Sequence, residues 1–177
     1  RNLTAAPHLL NENKRLSNKK DWHWLVQFHP KMEQEIIRSY KEIQSEKLTF
    51  IETDNVIPLL KQADIMLCDT SSILLSFILQ NKAVVTFKNQ RSGEHLINFS
   101  EVGLLEEKLN LAFSMPVDLM TNIKKFNSEL HPYADGKSSS RVIDATIKIV
   151  EHNPCTKKKP FDLVKLIKSV WKLRSHL

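Results

Sequence analysis

The chain has 177 residues, 41% of them hydrophobic and 26% charged, enough to bury a core and unlike the composition of a disordered chain. Its net charge of +6 is unevenly placed: residues 154–177 hold six lysines and one arginine against Asp162, while the first 153 residues balance 19 basic with 19 acidic side chains. That balance does not signal the broad basic face of a nucleic-acid-binding domain, and no apolar stretch approaches the ~20 residues of a membrane span.

The first clear strand covers residues 24–28 and is stopped by His29 and Pro30. Residues 32–43 place Met32, Ile36, Ile37, Tyr40 and Ile43 on one helical face, and residues 48–51 follow as a short strand. Residues 56–63 form a helix with Pro58 in its first turn, where a missing amide hydrogen is harmless. A strand over 65–68, a helix over 70–79 and a β-branched strand over 83–87 complete three successive βα units. Residues 88–100 read as a polar loop, and helices over 117–126 and 139–152 flank a turn at Asp135 and Gly136. The class is therefore α/β with a parallel sheet. Two domains are expected: residues 1–153, and a basic amphipathic helix over 154–177 in which Leu163, Val164, Ile167, Val170 and Trp171 stand at helical spacing among lysines. Such a helix suits docking on its own protein or lying on a membrane surface.

Three glycines cannot supply a GxGxxG fingerprint or a Walker loop. Cys68 and Cys155 form neither a disulfide framework nor a CxxC pair, so no metal or cofactor is expected and a cytoplasmic setting fits. No signal peptide or natural start is visible at Arg1, which suggests a piece of a longer protein.

In open parallel sheets ligands bind beyond the carboxyl ends of the strands. The residues there are His29 and the run Asp69, Thr70, Ser71, Ser72. The latter spans a strand-to-helix junction whose amides and hydroxyls suit a phosphate or diphosphate. The same residue types are ordinary helix caps, and the two roles are compatible. His29 precedes Pro30, which holds it extended at the sheet's rim, where an imidazole serves as a general base, a phosphate contact or a structural hydrogen-bond partner. Lys137 and Arg141 lie near the start of the helix after the Asp135 turn, and offer a second phosphate-facing loop or simply a turn and cap. The other histidines, His8 among them, lack comparable placement, with His131 beside the turn an exception. Trp22 and Trp24 share one face of a strand as a core or interface pair.

Taken together, residues 24–32 (WLVQFHPKM), 63–73 (ADIMLCDTSSI), 81–87 (NKAVVTF) and 135–142 (DGKSSSRV) resemble, in order and spacing, the CDP-glycerol glycerophosphotransferases, the teichoic acid polymerase-like enzymes. The resemblance covers residues 3–150. It implies a Rossmann-like parallel sheet flanked by helices, the carboxyl-terminal donor-binding half of a GT-B architecture, with an amino-terminal half outside this chain. It further implies that His29 is catalytic or contacts the donor diphosphate, with Lys31 beside it, and that Asp69, Thr70, Ser71 and Ser72 hold the diphosphate. Ser76 stands where the family commonly has an acidic residue placed for the nucleotide ribose, and Lys137 and Arg141 fall in the matching last block. The implied partners are a CDP-glycerol-like donor and a polymer or lipid-linked acceptor at the inner face of the membrane. Two alternatives are a UDP-N-acetyl sugar 2-epimerase-like or other GT-B domain, and a non-catalytic binding domain that has lost the donor site.

Overall fold

The computed structural model describes residues 4–152, and the expected helix over 154–177 lies outside them. The chain divides into two compact units, Arg1–Pro132 and Tyr133–Leu177, earlier than the boundary expected at 153. The first unit opens with helix α1 (Ala6–Lys19), followed by β1 (Trp24–Val26), α2 (Gln34–Glu42), β2 (Leu48–Phe50), α3 (Ile57–Gln62), β3 (Met66–Cys68), α4 (Ile73–Ile78), β4 (Val84–Phe87) and β5 (Ile97–Phe99). A 3-10 turn at Val102–Leu104 leads into α5 (Leu105–Phe113) and α6 (Val117–Leu130). The second unit contributes α7 (Ser138–His152).

All described strand ladders are parallel, as the alternation of strand and helix leads one to expect for β1–β2 and β3–β4, while β4 and β5 pair in parallel with no helix between them. β1 pairs with β2, Trp24 opposite Leu48 and Val26 opposite Phe50. β4 lies between β3 and β5, with Met66 opposite Val84 and Val85 opposite Ile97. Every residue of β4 is buried, the pattern of a parallel strand covered on both faces.

Two apolar cores follow. The larger contains Leu16, Phe77, Ile78, Val84, Val85 and Ile123, and the smaller contains Val26, Ile36, Tyr40 and Leu48. Helix α1 serves both, since Leu9 and Leu16 enter the first and Ala6 the second. It carries Pro7 in its first turn and Lys19 in its last, positions that suit the missing amide and the helix dipole. Its buried stripe includes Asn13 and Ser17, which hides it from a search for apolar periodicity. The half-buried Lys82 closes the end of α3, its Nζ donating to the carbonyls of Leu60, Lys61 and Ala63 at 3.3, 2.8 and 2.7 Å.

The far end of α1 is tied to α5 by charge. Glu106, in the first turn of α5, meets Lys20 Nζ at 3.0 Å, Arg15 at 3.0 Å and Lys19 Nζ at 3.3 Å. The hydrogen bonds from Lys20, Arg15 and Lys19 hold its carboxyl down at about 2, against an ordinary 4.5. A depressed carboxyl stabilises the fold above its unfolded value and loses that contribution as pH falls through its folded one. Between about pH 4.5 and 2, Glu106→Gln should therefore lose less stability than the parent chain. Urea midpoints measured across that window check this, and high salt should shrink the difference.

Several elements depart from sequence expectation. Residues 88–100 are not wholly loop, because β5 adds an edge strand whose alternating Ile97 and Phe99 are buried. The helix expected from Thr70 begins only at Ile73: Leu74 and Leu75 bond back to the carbonyls of Ser71 and Ser72, so the first turn is tightened to three residues. Trp22 lies outside β1 and stacks on Phe113 with ring centroids 5.1 Å apart.

Candidate functional site

His29 is the first residue of a turn in which Met32 N–H donates to His29 O at 2.9 Å, with Pro30 at the position that favours its fixed φ. The exposed imidazole accepts a hydrogen bond at Nδ1 from Lys31 N–H, 3.1 Å. An accepting Nδ1 places the proton of the neutral ring on Nε2, so His29 presents a donor outward, suited to a phosphate oxygen. Lys31 is exposed beside it.

Asp69 follows β3 and is half-buried. Its Oδ2 accepts the backbone N–H of Ala5 at 3.1 Å, so the carboxylate caps the start of α1, where the helix dipole favours negative charge. Its position therefore has a structural basis. Burial, with the Asp69 charge beside it, pushes the Cys68 thiol up to about 12, which makes it inert.

Thr70 and Ser72 are exposed, and Ser71 is half-buried. No side chain caps α4, and none of these three hydroxyls is engaged in a side-chain hydrogen bond among the described residues. The capping role expected of them is thus not the one they play here. Ser76 lies one turn beyond Ser72 on α4, also exposed, with its carbonyl accepting Gln80 Nε2 at 3.4 Å.

Three of the loops that follow strands meet at the start of α1. Phe28, next to His29, packs edge-on against Tyr40 with centroids 4.9 Å apart. Tyr40 Oη donates to Ala6 O at 2.9 Å and accepts from Asn13 Nδ2 at 3.1 Å, and burial pushes this phenol up to about 12, so it remains a donor at neutral pH. Ala5 is tied to Asp69 as above, and His8, one turn on, lies against Phe87 at the end of β4, centroids 6.1 Å apart. The first turn of α1 is thereby linked to the loop after β1 through Phe28 and Tyr40, to the loop after β3 through Asp69, and to the last residue of β4 through Phe87. No helix is expected over Ala6–Lys19 from the sequence alone.

Lys137 and Arg141 belong to the second unit. Asp135 Oδ1 accepts Lys137 N–H at 3.1 Å, and Arg141 donates both arms of its fork to Asp135 at 2.8 and 2.5 Å. The guanidinium also lies 4.0 Å from the centroid of the Tyr133 ring. Gly136, with φ of +72°, supplies the left-handed residue that the turn needs. Arg141 is thus committed to its own turn. Helix α7 buries no residue, and Val142, Ile143, Ile147, Ile149 and Val150 are between 48 and 66% exposed.

A separate open groove of about 410 Å³ lies beside the start of β5, lined by Glu94, Leu96, Leu111, Pro116, Leu119 and Asn122 among others. It includes no residue singled out from the sequence. Its walls also carry Asn98, Lys108 and Asp118, and it sits at the opening end of its strand, away from the strand ends where open parallel sheets take ligands. Among the described residues no cluster of His, Cys, Asp or Glu is disposed to hold a metal ion, and no helix is long and apolar enough to cross a membrane.

Comparison of the chain with protein-family models, curated proteins and solved structures finds no match.

Proposed function

We propose that the first unit is the donor-binding half of a GT-B-type transferase, Rossmann-like in its parallel strands. It would move glycerol phosphate, or a related polyol phosphate or sugar, from a CDP-activated donor to a cell-envelope polymer. The observation that carries this reading is the Thr70, Ser71, Ser72 run. Three hydroxyls follow a parallel strand and stay out of the hydrogen bonds of the fold, whereas ordinary caps would be engaged. His29, with Nε2–H directed outward, complements them as a donor to the diphosphate.

In the reaction an acceptor hydroxyl oxygen attacks the phosphorus of the glycerol phosphate, forming the new P–O bond. The bond to the bridging oxygen breaks, and CMP departs with the electron pair. The proton of the acceptor passes to water. His29 and the three hydroxyls stabilise charge on the diphosphate oxygens as it moves toward the leaving group. Ser76, one helical turn further on, is placed to take a ribose hydroxyl. Because a GT-B site closes between two halves, this chain alone is expected to bind donor without turnover.

Calorimetric titration with CDP-glycerol, CDP-ribitol, CMP and UDP-N-acetylglucosamine tests this. A CDP compound should bind, and Ser71→Ala should weaken it by about 3- to 30-fold. Binding of the UDP sugar alone would support the epimerase-like alternative, and an affinity for CDP compounds unmoved by Ser71→Ala would remove the hydroxyl run from the site.

A further inference from the structure

A diphosphate needs positive charge, and of the basic residues expected to supply it Arg141 is paired with Asp135 in the second unit, whereas Lys31 stays exposed beside His29. A lysine and a histidine lie by the carboxyl end of β4. Lys88 directly follows that strand with a φ of +52°, its amide bonded to Phe99 O at 2.8 Å. Its Nζ is 5.1 Å from the centroid of the Phe87 ring. The exposed His8 ring lies 6.1 Å from the same centroid, so the buried Phe87 borders both side chains, which come from distant parts of the chain. Neither side chain makes an ion pair or hydrogen bond among the described residues. His8 is also one turn from Ala5, whose amide reaches Asp69, the neighbour of Thr70. An unpaired lysine and a histidine ring at the carboxyl end of β4, on the strand next to the one that leads into Asp69 and Thr70, are chemistry suited to an anion.

We propose that Lys88, with the His8 ring beside Phe87, forms one side of a diphosphate-binding site at the carboxyl edge of the three-stranded sheet, where β3 and β4 end side by side with Cys68 opposite Thr86. That the diphosphate is part of a nucleotide rests on the function proposed above; the anion site itself does not. Lys88 contributes a mobile point charge, and His8 a ring nitrogen held at the start of α1. Their contact is with the phosphates, so CMP, with one phosphate, should gain little from them.

The test uses the full chain and titrates pyrophosphate, CDP-glycerol and CMP into the parent, Lys88→Gln, His8→Gln and Lys88→Arg, with circular dichroism to verify folding. Lys88→Gln should weaken pyrophosphate and CDP-glycerol by about 10- to 100-fold, His8→Gln by about 3- to 10-fold, and CMP by less than about threefold. Lys88→Arg keeps the charge and should restore most of the affinity. If pyrophosphate binds and depends on Lys88 while no nucleotide binds, the anion site stands and the donor reading fails. If CDP-glycerol binds equally well to the parent and the Gln variants, the donor reading stands and the His8–Lys88 site is overturned. Absence of any pyrophosphate binding by the parent chain also overturns it.

Discussion

Replacing Tyr40 with alanine is expected to lower the unfolding free energy by about 3–5 kcal/mol, the usual cost of deleting a large buried aromatic. Tyr40 is 2% exposed, and its ring supports Phe28 while its hydroxyl bonds both α1 contacts, Ala6 O and Asn13 Nδ2. The conservative Tyr40→Phe separates these roles: the ring remains, and the loss should be about 1–3 kcal/mol, because two buried polar groups are left without their partner. Asn13 Oδ1 already lacks one, so the site has no spare donor to compensate. Equilibrium denaturation of both variants measures the difference. A Tyr40→Phe variant as stable as the parent would mean that the hydroxyl does not fasten α1 to α2.

The second large effect is expected at Phe77. Phe77→Ala should cost about 3–5 kcal/mol, and the damage should extend to the candidate site. Helix α4 has six residues and no side-chain cap, too short to be stable by itself. It is held by burying Leu74, Phe77 and Ile78, and Phe77 is fully buried beneath the Nζ of Lys82, 5.5 Å from its centroid. Losing the ring should loosen both the start of α4, which sets the hydroxyls of residues 70–72, and the lysine that closes α3. Hydrogen exchange should then rise first in the amides around residues 71–75. An increase confined to other elements would contradict the dependence of this turn on Phe77.

The elements that were legible in the sequence are those whose burial is written in apolar residues. β4 is a continuous apolar and β-branched run, and α2 sets Ile36 and Tyr40 one turn apart, so both stood out. Helix α1 did not, because Asn13 and Ser17 occupy part of its buried face and their burial depends on a tertiary partner, Tyr40. The stripe of Leu105, Leu109 and Ala112 in α5 has the spacing of a buried face, yet the sequence reading placed no element there. β5 spans three residues within a polar segment, too few for alternation to register. At the site, the strand-end positions of His29 and Asp69 followed from chain order. The commitments of the side chains did not. That Asp69 caps α1, that Arg141 is spent on Asp135 and that His8 reaches Phe87 are contacts across 64, 6 and 79 positions, respectively, and only the shortest lies within reach of local pattern.

The proposed donor site lies where the first turn of α1 meets Asp69, Phe87 and, through Tyr40, Phe28. Backbone amide shifts of the full chain, followed by NMR as CDP-glycerol is added, test it most directly. The largest changes should fall together at residues 5–8, 28–31, 69–72 and 88–89, with a common saturation curve. Changes centred instead on Glu94, Leu111 and Asn122, in the groove beside β5, or no saturable change anywhere, would contradict it.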